Sequence, residues 1–248
     1  MGEIVTQSTE PGRPRWDAPS GSDAVVLSCA DLSAREINAR LRGLSEGTTV
    51  RIVEPRGMHN LAVGLRRHLD VTIVGNAGYY IAGLCDGPDV TIDGSVGWGL
   101  AENLMSGTVR VRGNASESAA ATAHGGTVIV HGDASSRAGI SLKGATLAVA
   151  GDVGHMSGFM AQAGTILVGG DAGDALGDSL YEAVIYVAGT VKSLGADSQV
   201  EDLTDADVLR VKEILDVAGF DHVDAQNVTR VASAKQLYNF DALKNQRY

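Results

Sequence analysis

The sequence is poor in the residues that most catalytic centres and thick globular cores require. Aromatic residues make up 4% of its 248 residues, and it has two cysteines, Cys29 and Cys85. Two cysteines are too few for an iron–sulfur cluster, which takes about four ligands, and they are typical of free thiols in a reducing compartment. The sequence lacks an apolar run of about 18 residues, and its first residues lack the pattern of a secretory signal. We therefore expect a cytoplasmic protein.

Basic residues are also scarce relative to acidic ones. Lysine and arginine number 20 against 30 aspartates and glutamates, which gives a formal net charge of -10. An acidic surface repels phosphate backbones, so nucleic acid is not an expected partner. Glycine, by contrast, is abundant at 32 residues. Few aromatics and many glycines favour a thin, tightly wound core.

A short aliphatic pattern recurs at a constant step of 19 residues. It begins at residues 71, 90, 109, 128, 147, 166 and 185. The first and third positions of every unit are aliphatic and mostly β-branched, which predicts a strand with period-two burial. The fifth position is always a glycine, and such a glycine indicates a backbone corner that needs positive φ or close approach. The corner glycines are Gly75, Gly94, Gly113, Gly132, Gly151, Gly170 and Gly189.

The length of the unit decides the fold class. A strand–helix–strand unit needs about 30 residues, which is more than 19. One coil of a parallel β-helix fits, with coils stacked about 4.8 Å apart. The sequence therefore predicts an all-β solenoid, a parallel β-helix of about seven coils. A right hand is favoured because left-handed forms repeat hexapeptides, roughly 18 residues per coil. The other side of each coil is apolar without clean alternation and predicts a weaker second strand.

The open ends of such a stack need caps. We expect a disordered or partner-draped segment over 1–22, an N-terminal α/β cap over 23–70, the β-helix over 71–195, and a C-terminal helical cap and tail over 196–248. Ser33 with Glu36, and Thr204 with Asp207, have the spacing of helix capping boxes. Gly219 is the expected C-terminal stop of the second helix.

One polar array has two interpretations. In the sixth position of the units, adjacent carboxylates could bind a cation or share a proton, or the side chains could form Asx-type turns, which is the favoured interpretation. The residues are Asn76, Ser95, Asn114, Asp133, Asp152, Asp171 and Thr190. Packing is favoured over nucleophilic roles for Cys29 and Cys85, and the histidines lack metal-site spacing. We expect no catalytic, cofactor-binding or metal-ligating residues in this chain.

Residues that break the coil pattern are the candidate partner contacts. Exposed aromatics and arginines on a rigid framework mark contact surfaces. The candidates are Tyr79, Tyr80, Trp98, Glu102, Asn103, His124, Arg137, His155 and Met156.

The repeat resembles a known family. Aliphatic-x-aliphatic-x-Gly-x-small-Gly/Ser, from about Val50 to Gly195, resembles the GXGXG domain, the right-handed β-helix at the C-terminus of the glutamate synthase large subunit. The closing RVASAKQLYNFDALKNQRY is similar to the stand-alone β-helix subunit of N-methylglutamate synthase, a methylamine–glutamate N-methyltransferase. Ser116, Ser135 and Lys192 depart from the glycine of the motif.

The resemblance implies a non-catalytic subunit of a hetero-oligomeric transferase of glutamate metabolism. Its implied partners are an amidotransferase-like subunit and an FMN-dependent synthase subunit, which would hold the FMN and the iron–sulfur cluster. Three alternatives remain: a scaffold like the GXGXG-type subunit of formylmethanofuran dehydrogenase, a stand-alone β-helix enzyme acting on polysaccharide or acyl groups, and an assembly module.

Overall fold

The computed structural model describes residues 24–235. The expected N-terminal segment over 1–22 and the last part of the tail, from residue 236, lie outside the described residues. The described chain forms an 11-stranded sheet whose strands follow one another in chain order as far as β9.

The strands and helices have the following bounds. The nine parallel strands are β1 (Val25–Ser28), β2 (Thr49–Val53), β3 (Asp70–Val74), β4 (Asp86–Ile92), β5 (Ser106–Val111), β6 (Thr127–Val130), β7 (Lys143–Val149), β8 (Ala163–Val168) and β9 (Val184–Val187). Two short strands close the sheet, β10 (Ser198–Glu201) and β11 (Thr229–Ser233), and the helices are α1 (Ala34–Gly43) and α2 (Asp205–Ala218).

The 19-residue step is the register of the sheet. Val71 pairs with Val90, and Val109 pairs with Val128, so equivalent positions of successive units lie side by side. Val50 also pairs with Val71, although it precedes that residue by 21 positions. The extra residues are therefore absorbed between the strands. This register confirms the predicted solenoid of stacked coils, and its hand stays a prediction.

The core is narrow and aliphatic. The first and third side chains of all seven units point inward and are no more than 1% exposed. Burying each such side chain stabilises the fold by about 1.5–3 kcal/mol. The opposite wall comes from the seventh position, where single bridges join Ala77 to Val96 and so on to Val191. The side chain at that position is alanine or valine in every unit.

Close approach explains the corner glycines. Gly132 N donates to Gly113 O at 3.0 Å. A Cβ on Gly132 would lie 2.0 Å from Asn114 Oδ1 and 2.9 Å from Gly113 O, so no side chain fits. Of the seven corner glycines, Gly75 has positive φ, at +119°, and the other six do not. The positive-φ alternative is therefore wrong for those six.

The second side of the coil is not the strand that the sequence suggested. Tyr80, Ala82 and Leu84 have φ of +57°, +55° and +58°, and equivalent positions of later coils repeat this left-handed backbone. Tyr80 N and Leu84 N donate to the following coil, while Ala82 N donates to Leu61 O of the preceding coil. A left-handed residue costs roughly 1–2 kcal/mol, and hydrogen bonds to both neighbouring coils offset that cost.

Helix α1 closes the N-terminal end of the core. Ser33 and Glu36 form the predicted capping box. The buried side chains Ile37 and Leu41 join the main core, and Asn38 Nδ2 donates to Asn60 O at 2.6 Å. The α1 cap thereby covers apolar side chains that the first coil would leave open.

Helix α2 covers the outer face of β6–β9. Thr204 and Asp207 form the second predicted capping box, and Gly219 ends the helix with φ of +71°. The helix packs on a second apolar cluster, in which the outward side chains of the sheet meet the buried side of α2. The main members are Ile129, Ala148, Leu167, Tyr186, Val211, Ile214, Leu215, Ala218 and Phe220.

Strands β10 and β11 are a feature that the sequence did not reveal. β11 pairs antiparallel with both β9 and β10, so the parallel stack ends in a reversed strand. Its Arg230 forms ion pairs with Glu201 and with Asp207 of α2. Tyr186 Oη also donates to Asp207. These four polar side chains join the last parallel strand to the C-terminal cap.

We predict that Gly132→Val lowers the free energy of unfolding by about 3 kcal/mol, because its side chain would collide with the coil below. Urea unfolding measures the change. Gly43→Ala is the matched control, since a Cβ on Gly43 meets nothing within 4 Å, and its stability should equal or exceed that of the wild type. Equal stability of Gly132→Val and wild type would contradict the close-approach account.

We also predict a pH-dependent effect of Asp207→Asn. Burial opposes the charge of Asp207, but hydrogen bonds from Thr204, Tyr186 and Arg230 outweigh it and hold the pKa of Asp207 below its usual range. Loss of these charged hydrogen bonds should cost on the order of 2–3 kcal/mol at pH 7.

The sign follows from the lowered pKa. The stabilisation is fully present above the unfolded-state pKa of about 3.9 and is lost as the pH falls through the lower folded-state value. Urea unfolding at pH 7 and pH 3 should therefore show a smaller gap between variant and wild type at pH 3. Asp205→Asn, at an exposed residue of the same helix turn, is the control. A gap that is equal at both pH values would exclude the carboxylate charge as the cause.

Candidate functional site

Neither cysteine is an activated nucleophile. Cys85 is buried and its Sγ donates to Ala62 O at 3.0 Å. Burial raises the pKa of the Cys85 thiol to about 11. Burial, together with the Glu54 carboxylate, also raises the pKa of Cys29. Both thiols are therefore protonated at neutral pH, whereas nucleophilic cysteine chemistry needs the thiolate.

Two further features are absent from residues 24–235, a metal-binding group and a membrane-spanning helix. These residues contain no group of three or more His, Cys, Asp or Glu side chains that could hold a metal ion. In the same range, neither helix has the length and apolar character needed to cross a membrane.

The polar array is a ladder of hydrogen bonds between coils. Asp133 Oδ1 accepts from Asp152 N at 2.9 Å, and Asp152 Oδ1 accepts from Asp171 N at 2.7 Å. Asn76, Ser95, Asn114 and Asp171 accept in the same way from the coil that follows. The expected Asx-type turns are therefore wrong. Each side chain accepts from a backbone N–H that lies 19 residues ahead rather than in its own turn. Each side chain satisfies a backbone donor at the exposed corner.

Two of the candidate contacts, Tyr79 and Trp98, belong to an aromatic stack. The rings of His59 and Tyr79 lie 4.4 Å apart at 16°, and those of Tyr79 and Trp98 lie 5.7 Å apart at 29°. Tyr79 N also donates to His59 Nδ1 at 2.8 Å. Stacked rings on successive coils make a rigid, partly exposed surface, because each ring is fixed by its neighbours.

Glycine in the eighth position of the unit provides the space for the first two rings. A Cβ on Gly97 would lie 2.4 Å from Tyr79 Cδ1, and one on Gly78 would lie 2.0 Å from His59 Nδ1. Each of these rings therefore lies over the glycine of the next coil. Ser116 and Ser135 occupy the eighth position in the two coils that follow, beyond the end of the stack.

Several exposed apolar side chains lie on the two coils that carry Tyr79 and Trp98. We define the apolar patch as Tyr79, Tyr80, Leu84, Trp98 and Met105, which are 44–58% exposed. These are five of the ten exposed large apolar residues between 24 and 235, and they lie on two consecutive coils. Such concentration is typical of an interaction surface.

The remaining candidates are not all part of the patch. The Tyr80 ring and the Glu102 carboxylate lie near each other, because a Cβ placed on Gly99 would approach both side chains. Asn103 Oδ1, one residue on, accepts from Thr122 Oγ1 at 2.8 Å.

The other four candidates lie on later coils. His155 occupies the same position in its unit as Trp98 but three coils further on, about 14 Å away at the coil spacing. Arg137 N donates to His155 O at 2.9 Å, so Arg137 and Met156 lie on that distant part of the surface. His124 follows Met105 by one 19-residue step, and its N donates to Leu104 O at 2.8 Å, so it lies on the coil next to Met105. The structure therefore separates Arg137, His155 and Met156 from the aromatic stack.

Three members of this surface were missed from the sequence. His59 precedes Tyr79 by 20 positions, so the 19-residue step does not align them. Leu84 and Met105 look like core residues in a loosely apolar stretch. Leu84 belongs to the left-handed stretch, in which Ala82 is buried and Leu84 is exposed, and the sequence carries no sign of that conformation.

Comparison with known proteins finds a partial similarity. The chain is 45% identical over 65 residues to Protein GlxC of Rhizobium meliloti (strain 1021). The match covers 25% of this chain and 28% of that protein, so the chain spans well under a third of the curated relative's length. No family model matches the sequence, and no solved structure matches it. Sixty-five residues correspond in length to more than three coils of 19 residues.

Proposed function

We propose that this chain is the β-helix subunit of a glutamate synthase-like enzyme complex, with N-methylglutamate synthase as the specific form. In this proposal it is non-catalytic. It bridges an amidotransferase-like subunit and a synthase subunit, and the FMN and iron–sulfur cluster belong to the synthase subunit. The GXGXG-type repeat and the partial similarity to Protein GlxC support membership of such an assembly.

The observation that carries the proposal is the apolar patch. The five patch residues expose large apolar surface on two neighbouring coils. Exposed aromatic anchors on a rigid element are typical of protein interfaces, where a few such residues supply most of the binding energy. Burial raises the pKa of both thiols and so disfavours the nucleophilic thiolate.

The rigidity of the coils suits a bridging role. Hydrogen bonds join successive coils at the corner glycines, along the polar ladder and on the left-handed side. A subunit that orders its partners around a fixed axis gains from such a scaffold, because little conformational entropy is lost when the partners bind.

Purification through this chain from its own cells tests the proposal. We predict that native mass spectrometry finds the wild-type chain with an amidotransferase-like protein and a flavoprotein, with flavin absorbance in the same fraction. The double variant Tyr79→Ala, Trp98→Ala should lower the co-purified flavin at least tenfold, because it removes the two stacked aromatic rings of the patch. Leu209→Ala is the matched control, since Leu209 is 63% exposed on α2, away from the patch.

The outcomes test the proposed function and the assignment of the docking surface separately. A wild-type fraction without flavin and without an amidotransferase-like protein would contradict the proposed function, and a molybdenum or tungsten protein in its place would favour the formylmethanofuran dehydrogenase alternative. Full retention of both partners by the double variant would contradict the assignment of the patch as the docking surface.

A further inference from the structure

The N-terminal cap carries a charge opposite to that of the chain as a whole. From the start of α1 to the residue before β3, residues 34–69, there are seven arginines and three glutamates, a net charge of +4. The whole chain has a net charge of -10, so the remaining residues carry -14. Cationic groups are therefore concentrated in one small region, where they raise the local concentration of anions.

Part of this region is a cleft. It has a volume of about 390 Å³ and lies between the end of α1 and the loop before β3. Its lining consists of Leu41, Arg42, Gly64, Leu65, Arg66, Arg67 and Leu69. The three leucines are at most 1% exposed and form a fixed floor, while the three arginines are exposed at its rim. This volume is in the range of small-molecule sites.

Two of the rim arginines are held in place by backbone carbonyls. Arg67 Nη1 donates to Leu44 O at 2.8 Å, at the end of α1. Arg42 Nη1 donates to Val63 O at 3.5 Å, across the cleft in the loop. A guanidinium has five N–H donors, so each retains donors after these contacts.

The rim arginines are also not paired with any carboxylate of the described residues. Arg56 and Arg230, in contrast, are paired with glutamates. Within residues 24–235, none of Arg42, Arg66 and Arg67 forms a salt bridge. Three guanidinium groups around one cleft, without acidic partners from the described chain, leave positive charge that an external anion can neutralise.

The geometry points to a binding site for a small oxyanion in this cleft. The planar fork of arginine matches carboxylate and phosphate oxygens, and two or three such groups favour a ligand with more than one negative charge. The ligand class is therefore a free polycarboxylate or phosphate, bound by Arg42, Arg66 and Arg67 above the leucine floor. This site is independent of the apolar patch and of the partners proposed above.

Isothermal titration of the purified full chain tests the site, with citrate as the carboxylate probe and inorganic phosphate and pyrophosphate as the phosphate probes. We predict that at least one probe binds and that Arg66→Ala weakens its affinity at least tenfold. Arg66 is the residue to change because the described chain gives it no hydrogen bond whose loss would disturb the fold. The stronger probe distinguishes a carboxylate ligand from a phosphate ligand.

Arg40→Ala is the matched control. Arg40 is exposed on the same helix and its loss removes the same charge, but it does not line the cleft. The affinity of the Arg40→Ala variant for the probe should differ from that of the wild type by less than twofold. Absence of binding by all three probes would overturn the proposal, as would an equal loss of affinity in both variants, which would indicate diffuse attraction to the cap.

Discussion

The close approach of successive coils at the glycine corner sets the geometry of the solenoid. Each corner glycine from Gly113 to Gly189 donates its N–H to the corner glycine of the preceding coil, at 2.9–3.1 Å. No Cβ fits between them. Because the corner holds the coils in identical register, equivalent side chains lie one above another. The aliphatic core, the polar ladder and the stacking of Tyr79 on Trp98 are all consequences of that register.

The fold could be predicted from the sequence because its determinants recur. A strand that buries alternate aliphatic side chains and a glycine at every corner are visible as a 19-residue period. Both helix starts carry capping boxes, which act locally. Strand β11 was not predictable in this way, since its register depends on pairing with β9, about 40 residues earlier in the chain.

The contact surface was only partly predictable, for the same physical reason. Tyr79 and Trp98 share a position of the repeat, so their proximity follows from the period. His59 precedes the regular repeat and joins the stack through a leading coil of different length. Leu84 lies in a stretch whose left-handed backbone is held by hydrogen bonds to neighbouring coils, and residue type alone does not dictate that conformation. The arginine cleft likewise combines a helix end with a loop more than 20 residues away.

A rod with separate surfaces for separate contacts is consistent with a bridging subunit, provided that its coils behave as one rigid unit. Amide hydrogen exchange followed by NMR measures this directly. The account predicts that the corner amides of Gly113, Gly132, Gly151 and Gly170 exchange as slowly as those of the buried strand residues Val109 and Val128. Corner amides that exchange orders of magnitude faster than the strand amides would contradict it, because the coils would then open independently at the corner.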